Sequence, residues 1–197
     1  MHHQSPGSNT YVHADVVDEF LHKFCEAVKA LRVGPSSDPA NQIGPVISGR
    51  ARARIANLVD SAVARGARIA VQGEIPGVGW FYPPTVLADV PFGAQILSEE
   101  IFGPVAPIVT WTNEATMLAS VNDTEFGLAG YVYAGRMQDA LRIGEQIEAG
   151  MIGINRGVVS DPSVPFGGVK QSGIGREGAH EGIREYPATR AFCIEWS

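Results

Sequence analysis

Two adjacent carboxylates, Glu99 and Glu100, precede an aromatic ring, a glycine and a proline at residues 102–104, and apolar runs lie on both sides. Glycine permits unusual backbone angles and close approach, whereas proline fixes φ and ends regular strand pairing. Such a segment can hold a carboxylate and a ring rigidly at the mouth of a cleft. Because charged pairs usually lie on solvated faces, the alternative is a strand end that carries two solvated glutamates. The rest of the chain must decide between these two interpretations.

A second concentration of glycine and polar residues spans residues 165–178. Within it, residues 173–178 match the dinucleotide-binding pattern G-x-G-x-x-G, which requires a preceding strand and a helix that opens onto the pyrophosphate. Here the pattern follows the polar run Lys170, Gln171 and Ser172, and no strand–helix–strand unit comes after it. We therefore reject a dinucleotide site at this position.

The elements that would position these segments follow from the spacing of apolar residues. Helices are predicted over residues 15–31, from Ser48 or Gly49 to about Arg65, and over 114–122 and 137–149, the last with Leu141, Ile143 and Ile147 inside. The second helix has an apolar stripe surrounded by arginines, predicted as a solvated face: Arg50, Arg52, Arg54 and Arg65. Extended segments are predicted over residues 67–72, 80–87, 105–111, 128–134, 151–155 and 189–196.

This alternation of strands and helices predicts an α/β fold with a mostly parallel sheet flanked by helices. Ligands bind such sheets beyond the carboxyl ends of the strands. Asn155 and the loop at residues 156–164 would lie at one such end. Residues 1–10 are expected to form a disordered leader.

Composition excludes several classes of protein. The chain has 197 residues, 45% of them hydrophobic, a net charge of −6 and no basic run, so a nucleic-acid partner is not expected. The longest apolar stretches are too short to span a membrane, and the N-terminus lacks an apolar signal-peptide core. Neither the cysteines, Cys25 and Cys193, nor the histidines have metal-ligand spacing, so no metal site is expected. A cytoplasmic protein is predicted.

Four segments in a fixed order resemble the aldehyde dehydrogenase superfamily, and within it the succinate-semialdehyde dehydrogenases. They are Glu-Glu-Ile-Phe-Gly-Pro at 99–104, Gly-Leu-Ala-Gly at 127–130, Gly-Met-Ile-Gly-Ile-Asn at 150–155 and Pro-Phe-Gly-Gly-Val-Lys-Gln-Ser-Gly at 165–173. The resemblance implies an NAD(P)+-dependent oxidation of an aldehyde to the carboxylic acid. It covers residues from about Tyr11 to the C-terminus and implies the C-terminal part of the catalytic domain.

The same resemblance implies a role for individual residues. Glu100 would accept hydrogen bonds from the nicotinamide ribose, and Phe102 would pack near the nicotinamide ring of NAD or NADP. Phe166 would form a wall of the aldehyde tunnel, Asn155 would help to shape the site, and Ser160 would bind the distal carboxylate of succinate semialdehyde. The last strand, at residues 189–197, would join an oligomerisation sheet completed by a neighbouring subunit.

The sequence also departs from the family pattern. The resemblance implies that the chain covers only the C-terminal two-fifths of a family member and lacks the cofactor domain, the general-base glutamate and the nucleophilic cysteine. Cys25 lies well inside a predicted helix and is expected to be a packed, inert residue. We therefore expect no catalytic residue in this chain and no dehydrogenase activity from the chain alone. The alternatives are a non-enzymatic module that pairs with full-length subunits, and a truncated reading frame without function.

Overall fold

The chain divides within helix α4 (Glu114–Asn122) into two units, Met1–Ser120 and Val121–Ser197. A computed structural model describes residues 9–188 and 190–195. Strand β1 (Thr10–His13) begins inside the range predicted as a leader, and Asn9 Nδ2 donates a hydrogen bond to Leu97 O at 2.6 Å. Residues 1–8 of that predicted leader lie outside the described residues.

The first unit is built on one four-stranded sheet of β1, β2 (Arg68–Gln72), β3 (Thr85–Ala88) and β4 (Val105–Trp111), in the order β1-β4-β3-β2. Strand β4 pairs in parallel with both β1 and β3, and β2 pairs antiparallel with β3 at one edge. The prediction of an α/β fold with a mostly parallel sheet is confirmed.

Helices cover both faces of this sheet. Neighbouring residues of a strand point to opposite faces, so they join different hydrophobic cores. Leu87 and Val109 join the core on the side of α2 (Gly49–Ala64), whereas Val86 and Ile108 join the core on the side of α1 (Val17–Lys29). Since both faces are buried, β3 and β4 are apolar along most of their length rather than alternating.

Helix α2 follows its sequence prediction closely. Ser48 is the N-cap, and its side-chain oxygen accepts a hydrogen bond from Ala51 N at 3.1 Å. After the helix, Gly66 has φ +108°, as expected of a glycine that ends a helix. The predicted apolar stripe is buried: Ile55, Leu58, Val59 and Ala62.

The second unit contains two small sheets. Strands β6 (Ala129–Val132) and β7 (Met151–Ile154) pair in parallel around α5 (Met137–Gly144), and β5 (Phe126–Gly127) pairs antiparallel with β8 (Val169–Lys170). Two short helices complete the set of elements, α3 (Gln95–Ser98) in the first unit and α6 (Ala179–Arg184) in the second.

Helix α5 ends five residues earlier than predicted. Gly144 is buried, and a Cβ there would lie 3.1 Å from Ile152 Cγ2. Beyond it, Gln146 N and Ile147 N donate to carbonyls three residues back, so the chain turns towards β7. Leu141 is 47% exposed, not inside as predicted. An apolar period alone does not show where a buried glycine ends a helix.

The predicted last strand lies only partly within the described residues. Described residues 190–195 have no strand assignment, and Thr189 and Trp196 lie outside the described residues. A strand needs a hydrogen-bonded partner, so the proposed oligomerisation strand stays a prediction. Among the described residues, no helix has the length and apolar content needed to cross a membrane.

The packing of α2 leads to a stability prediction. Ile55 is 0% exposed, whereas Val63 on the same helix is 40% exposed. We expect Ile55→Ala to lower the free energy of unfolding of the first unit by about 2–5 kcal/mol, because it leaves a cavity. Val63→Ala should change it by less than about 0.5 kcal/mol. Urea unfolding followed by circular dichroism measures both, and equal effects would contradict the assignment of Ile55 to the core.

Candidate active site

The loop at residues 99–104 connects α3 to β4 and is fixed on both sides of Phe102. Before it, Ile101 is fully buried in the core on the α2 side. After it, Gly103 lies so close to α2 that a Cβ would be 2.5 Å from Ile55 Cδ1. Thr85 N donates to Pro104 O at 2.8 Å. Glycine at position 103 therefore allows the close approach that places Phe102 at the surface.

Phe102 is 54% exposed and has φ +46°. A bulky residue in the left-handed region is an outlier that persists only where its surroundings hold it. Glu100 is also exposed, and among the described residues its carboxylate has no hydrogen-bond or ion-pair partner. Glu99 differs from it, because its carboxylate accepts a hydrogen bond from Gln95 Nε2 at 2.6 Å. Of the two glutamates, Glu100 is the one free to bind a ligand.

Arg54 on α2 binds the main chain of this loop. Its Nη1 donates to Glu100 O at 2.6 Å and its Nη2 donates to Ile101 O at 2.9 Å. The predicted solvated face holds for the other three arginines, which are exposed, but not for the half-buried Arg54. The helical pattern did not distinguish this arginine from its neighbours. The spacing of apolar residues shows which face of a helix is buried, but it does not show which acceptor a polar side chain will hydrogen-bond.

An apolar cleft of about 410 Å³ lies elsewhere in the first unit, between the start of α2 and Trp80. It contains none of the predicted site residues. Burial, and to a lesser extent the Asp60 carboxylate, raise the pKa of Tyr82 at its edge above the usual range. Its lining is mostly apolar, with Arg52 and Tyr82 among the few polar residues, so this cleft is not the candidate site.

Asn155 joins the ends of two strands in the second unit. Its Oδ1 accepts from Ala134 N at 2.9 Å, and its Nδ2 donates to Ala134 O at 3.0 Å. Its own N–H donates to Val132 O at 2.9 Å, and its φ is +50°. Asparagine adopts this backbone region more readily than most residues. The side-chain amide thus extends the β6–β7 pair rather than reaching for a ligand.

Phe166 lies in a loop held by paired main-chain hydrogen bonds. Its N–H donates to Glu177 O at 2.8 Å and its carbonyl accepts from Glu177 N at 2.7 Å. Arg176 Nη1 donates to Gly168 O at 2.7 Å. A Cβ on Gly167 would collide with the carbonyl oxygen of Gly175. The high glycine content therefore serves close packing of two main-chain segments.

Phe166 lines a cleft of about 970 Å³ in the second unit. Its wall combines apolar side chains with main-chain glycines and the charged groups of Arg176 and Glu185. Asn155 and Ser160 are not among the residues that line this cleft. Of the three residues predicted to contact the aldehyde, Phe166 is the one that lines this cleft.

Ser160 is exposed and precedes a tight turn. Asp161 Oδ1 accepts hydrogen bonds from Ser163 N at 2.9 Å and from Ser163 Oγ at 2.6 Å. Ser163 thereby holds the pKa of the Asp161 carboxyl below its usual range. Ala179 N donates to Pro162 O at 3.2 Å, which attaches the turn to the start of α6. Sequence analysis did not single out this turn, although Asp-x-Ser is a recognisable turn signal.

Lys170 holds the other end of the Phe166 loop. Its Nζ lies 2.8 Å from Asn122 O, 3.1 Å from Thr124 O and 2.6 Å from Glu148 Oε2. An ammonium group has three N–H donors, so these acceptors use all of them. Lys170 is a structural residue and was not identified as such from the sequence.

The G-x-G-x-x-G match is no dinucleotide site in the structure. Gly173 follows a turn and the two-residue strand β8, and Gly178 is the N-cap of the six-residue helix α6. The pattern lacks the strand–turn–helix that places pyrophosphate on a helix N-terminus. The two residues predicted to bind the nicotinamide end of NAD or NADP, Glu100 and Phe102, lie instead in the first unit, and both are exposed.

The two cysteines lie in different surroundings. Cys25 is half-buried and packs against the core on the α1 side, as predicted, and Cys193 is exposed. An activated thiol needs an adjacent base or positive charge that lowers its pKa. In the described residues we find no such group hydrogen-bonded to either thiol.

Comparisons with known proteins agree with the ordered motifs. The family model described as "Aldehyde dehydrogenase family" matches residues 5–192. The succinate-semialdehyde dehydrogenase of Paenarthrobacter nicotinovorans is 52% identical over 185 residues, which cover 93% of this chain and 41% of that protein. The NADP(+) succinate-semialdehyde dehydrogenase GabD of Escherichia coli (strain K12) is 42% identical over 185 residues, which cover 93% of this chain and 38% of that protein.

Solved structures show the same relationship. An aldehyde dehydrogenase of Mycobacterium tuberculosis complexed with NAD+ has a TM-score of 0.81 and 41% sequence identity, with 92% of this chain and 38% of that chain covered. The chain spans about two-fifths of the length of the curated relatives it matches. The resemblance based on four ordered motifs is confirmed. Since one family model accounts for nearly the whole sequence and a solved relative shares its fold, this chain belongs to the aldehyde dehydrogenase family.

Proposed function

We propose that this chain forms the C-terminal part of the catalytic domain of an NAD(P)+-dependent aldehyde dehydrogenase, with succinate semialdehyde as its substrate. The observation that carries the proposal is the fixed 99–104 loop, which presents to solvent both the Glu100 carboxylate and the Phe102 ring, two residues apart in sequence. The similarity to succinate-semialdehyde dehydrogenases supports the choice of substrate.

In this proposal, Glu100 and Phe102 bind the ribose and nicotinamide of the cofactor. A carboxylate with no protein partner can accept hydrogen bonds from both hydroxyls of a ribose. The ring of Phe102 can pack against the flat face of a nicotinamide. NAD(P)+ supplies the hydride acceptor when bound. Both cofactors stay candidates, because one relative carries NADP(+) in its name and another was solved with NAD+.

The second unit would contact the aldehyde. Phe166 lines a cleft wide enough for a small aldehyde and would form an apolar wall of its path. Ser160 would bind the distal carboxylate of the substrate through its exposed hydroxyl. Asn155 would act indirectly, because both polar atoms of its side chain hold Ala134.

We further propose that the 197 residues do not oxidise aldehydes by themselves. The family reaction requires an activated thiol, and among the described residues no base is hydrogen-bonded to Cys25 or Cys193. The alternative is a non-enzymatic module that pairs with full-length subunits. The exposed apolar side chains of Phe192 (77%) and Ile194 (71%), in a segment without a strand partner, support that alternative.

A turnover experiment tests the main proposal. We expect the purified chain to form no NADH or NADPH from succinate semialdehyde. A chimera that joins the upstream part of the Paenarthrobacter nicotinovorans relative to this chain should be active, with a lower KM for succinate semialdehyde than for butyraldehyde, which lacks the distal carboxylate.

The unmodified relative is the control for assay and folding. Turnover by the chain alone would contradict the proposed inactivity. A chimera that folds but oxidises no aldehyde would contradict the proposed function, and co-purification of the chain with the relative in that case would favour the interaction module.

The two neighbouring glutamates give a matched pair of variants. In the chimera, Glu100→Gln should raise the KM for the cofactor about tenfold, because hydrogen bonds to a charged group contribute about 1.5–3 kcal/mol. Glu99→Gln should change it less than about twofold, since its carboxylate already binds Gln95. Steady-state kinetics with varied cofactor measures both, and a larger effect at Glu99 would refute the assignment.

The turn next to Ser160 predicts a pH dependence. Because the folded-state pKa of Asp161 is lowered, its hydrogen bonds from Ser163 persist above the ordinary carboxyl pKa of about 3.9 and are lost as the pH falls through the lower folded-state value. In NMR spectra of the chain, the Ser163 amide resonance should hold its position down to about pH 4. Asp161→Asn should keep the turn but remove the titration. Movement of this resonance well above pH 4, while circular dichroism shows folded protein, would contradict the prediction.

A further inference from the structure

Helix α2 contacts the 99–104 loop through two neighbouring residues of different chemistry. Ile55 provides the apolar contact, with its Cδ1 against the position where a Cβ on Gly103 would lie. Arg54 provides the polar contact, with Nη1 and Nη2 on the carbonyls of Glu100 and Ile101 at 2.6 and 2.9 Å. The loop is therefore held from one helix turn by packing and by hydrogen bonds together.

The two carbonyl contacts restrain the main chain that carries the Glu100 and Phe102 side chains. A peptide plane is rigid, so orienting the carbonyls of residues 100 and 101 orients the planes on both sides of Ile101. The position of the Glu100 Cα and the chain entering Phe102 are thereby restrained. Phe102 needs such support, because its φ of +46° is unfavourable for a bulky residue.

Arginine suits this position better than lysine. Its planar fork can donate to two acceptors at once, whereas a lysine is a compact charge on a flexible stem. The nearby Glu99 carboxylate does not explain the placement of Arg54. It lies 4.0 Å from Nη1, and 41% of the Arg54 side chain and 42% of the Glu99 side chain are accessible to solvent, so a pair at that distance contributes little. The main-chain carbonyls are the partners that matter.

We propose that Arg54 is a positioning residue of the cofactor site, which holds the main chain of Glu100 and Ile101 so that the Glu100 carboxylate and the Phe102 ring stay ready for the nicotinamide end of NAD(P)+. The cofactor half of this inference rests on the function proposed above. The main-chain half rests only on the contacts of the first unit.

Hydrogen exchange on the 197-residue chain tests the main-chain half. The reporters are the amides at the borders of the loop, Glu99 N on Gln95 O at 3.1 Å and Val105 N on Gly103 O at 2.8 Å. Arg54→Gln should raise their exchange rates about tenfold, and Arg54→Lys should have a smaller effect. The control is Arg50→Gln. Arg50 is exposed on the same helix, and its side chain makes no hydrogen bond or ion pair among the described residues. Equal exchange in Arg54→Gln and Arg50→Gln would overturn the proposal.

Kinetics of the chimera test the cofactor half. Arg54→Gln should raise the KM for the cofactor about tenfold while the KM for the aldehyde changes less than twofold, and Arg54→Lys should recover part of the loss. A purely structural role would lower the melting temperature without this difference between the two KM values. An unchanged cofactor KM in an active chimera overturns the positioning role. An inactive chimera with the unaltered chain overturns the proposed function, and the exchange experiment still decides whether Arg54 holds the loop.

Discussion

The packing of helix α2 against strands β3 and β4 is the contact on which the arrangement of the first unit depends. Ile55 is the residue at its centre, since it is fully buried and lies against Gly103. Successive residues of a helix are about 100° apart around its axis, so seating Ile55 on the sheet also sets the direction of Arg54. The same packing of α2 therefore determines both the hydrophobic core and the Arg54 hydrogen bonds that support the 99–104 loop.

Three of the non-glycine residues with left-handed backbone conformations lie in the segments that contain the predicted site residues. Phe102, Asn155 and Lys170 all have positive φ values, between 46° and 55°. Each is held by neighbours: Phe102 by the anchors on either side, Asn155 by its two bonds to Ala134, and Lys170 by three oxygen acceptors. Such conformations persist where the surrounding structure determines them. Here they turn the chain sharply at the end of a strand or loop.

Sequence patterns predicted the first unit better than the second. The α2 stripe, its Ser48 cap and the buried strand β4 are local features, and each has a periodicity or end signal that a short window contains. Helix α5 has the same kind of apolar period, but it ends at Gly144, which packs against Ile152. That contact comes from another strand, so no local pattern could show the exposure of Leu141.

The sequence by itself determined the family, because four motifs in a fixed order are a property of the residues alone, and it also predicted roles for Glu100, Phe102 and Phe166. Only the tertiary structure decided that Glu99 is bound by Gln95 while Glu100 is free, that the Asn155 amide is used by Ala134, and that Arg54 differs from three other arginines on one helix. The physical reason is that these distinctions depend on main-chain carbonyls and side chains brought close by packing. Residue type and spacing along the chain do not record which acceptor a side chain will reach.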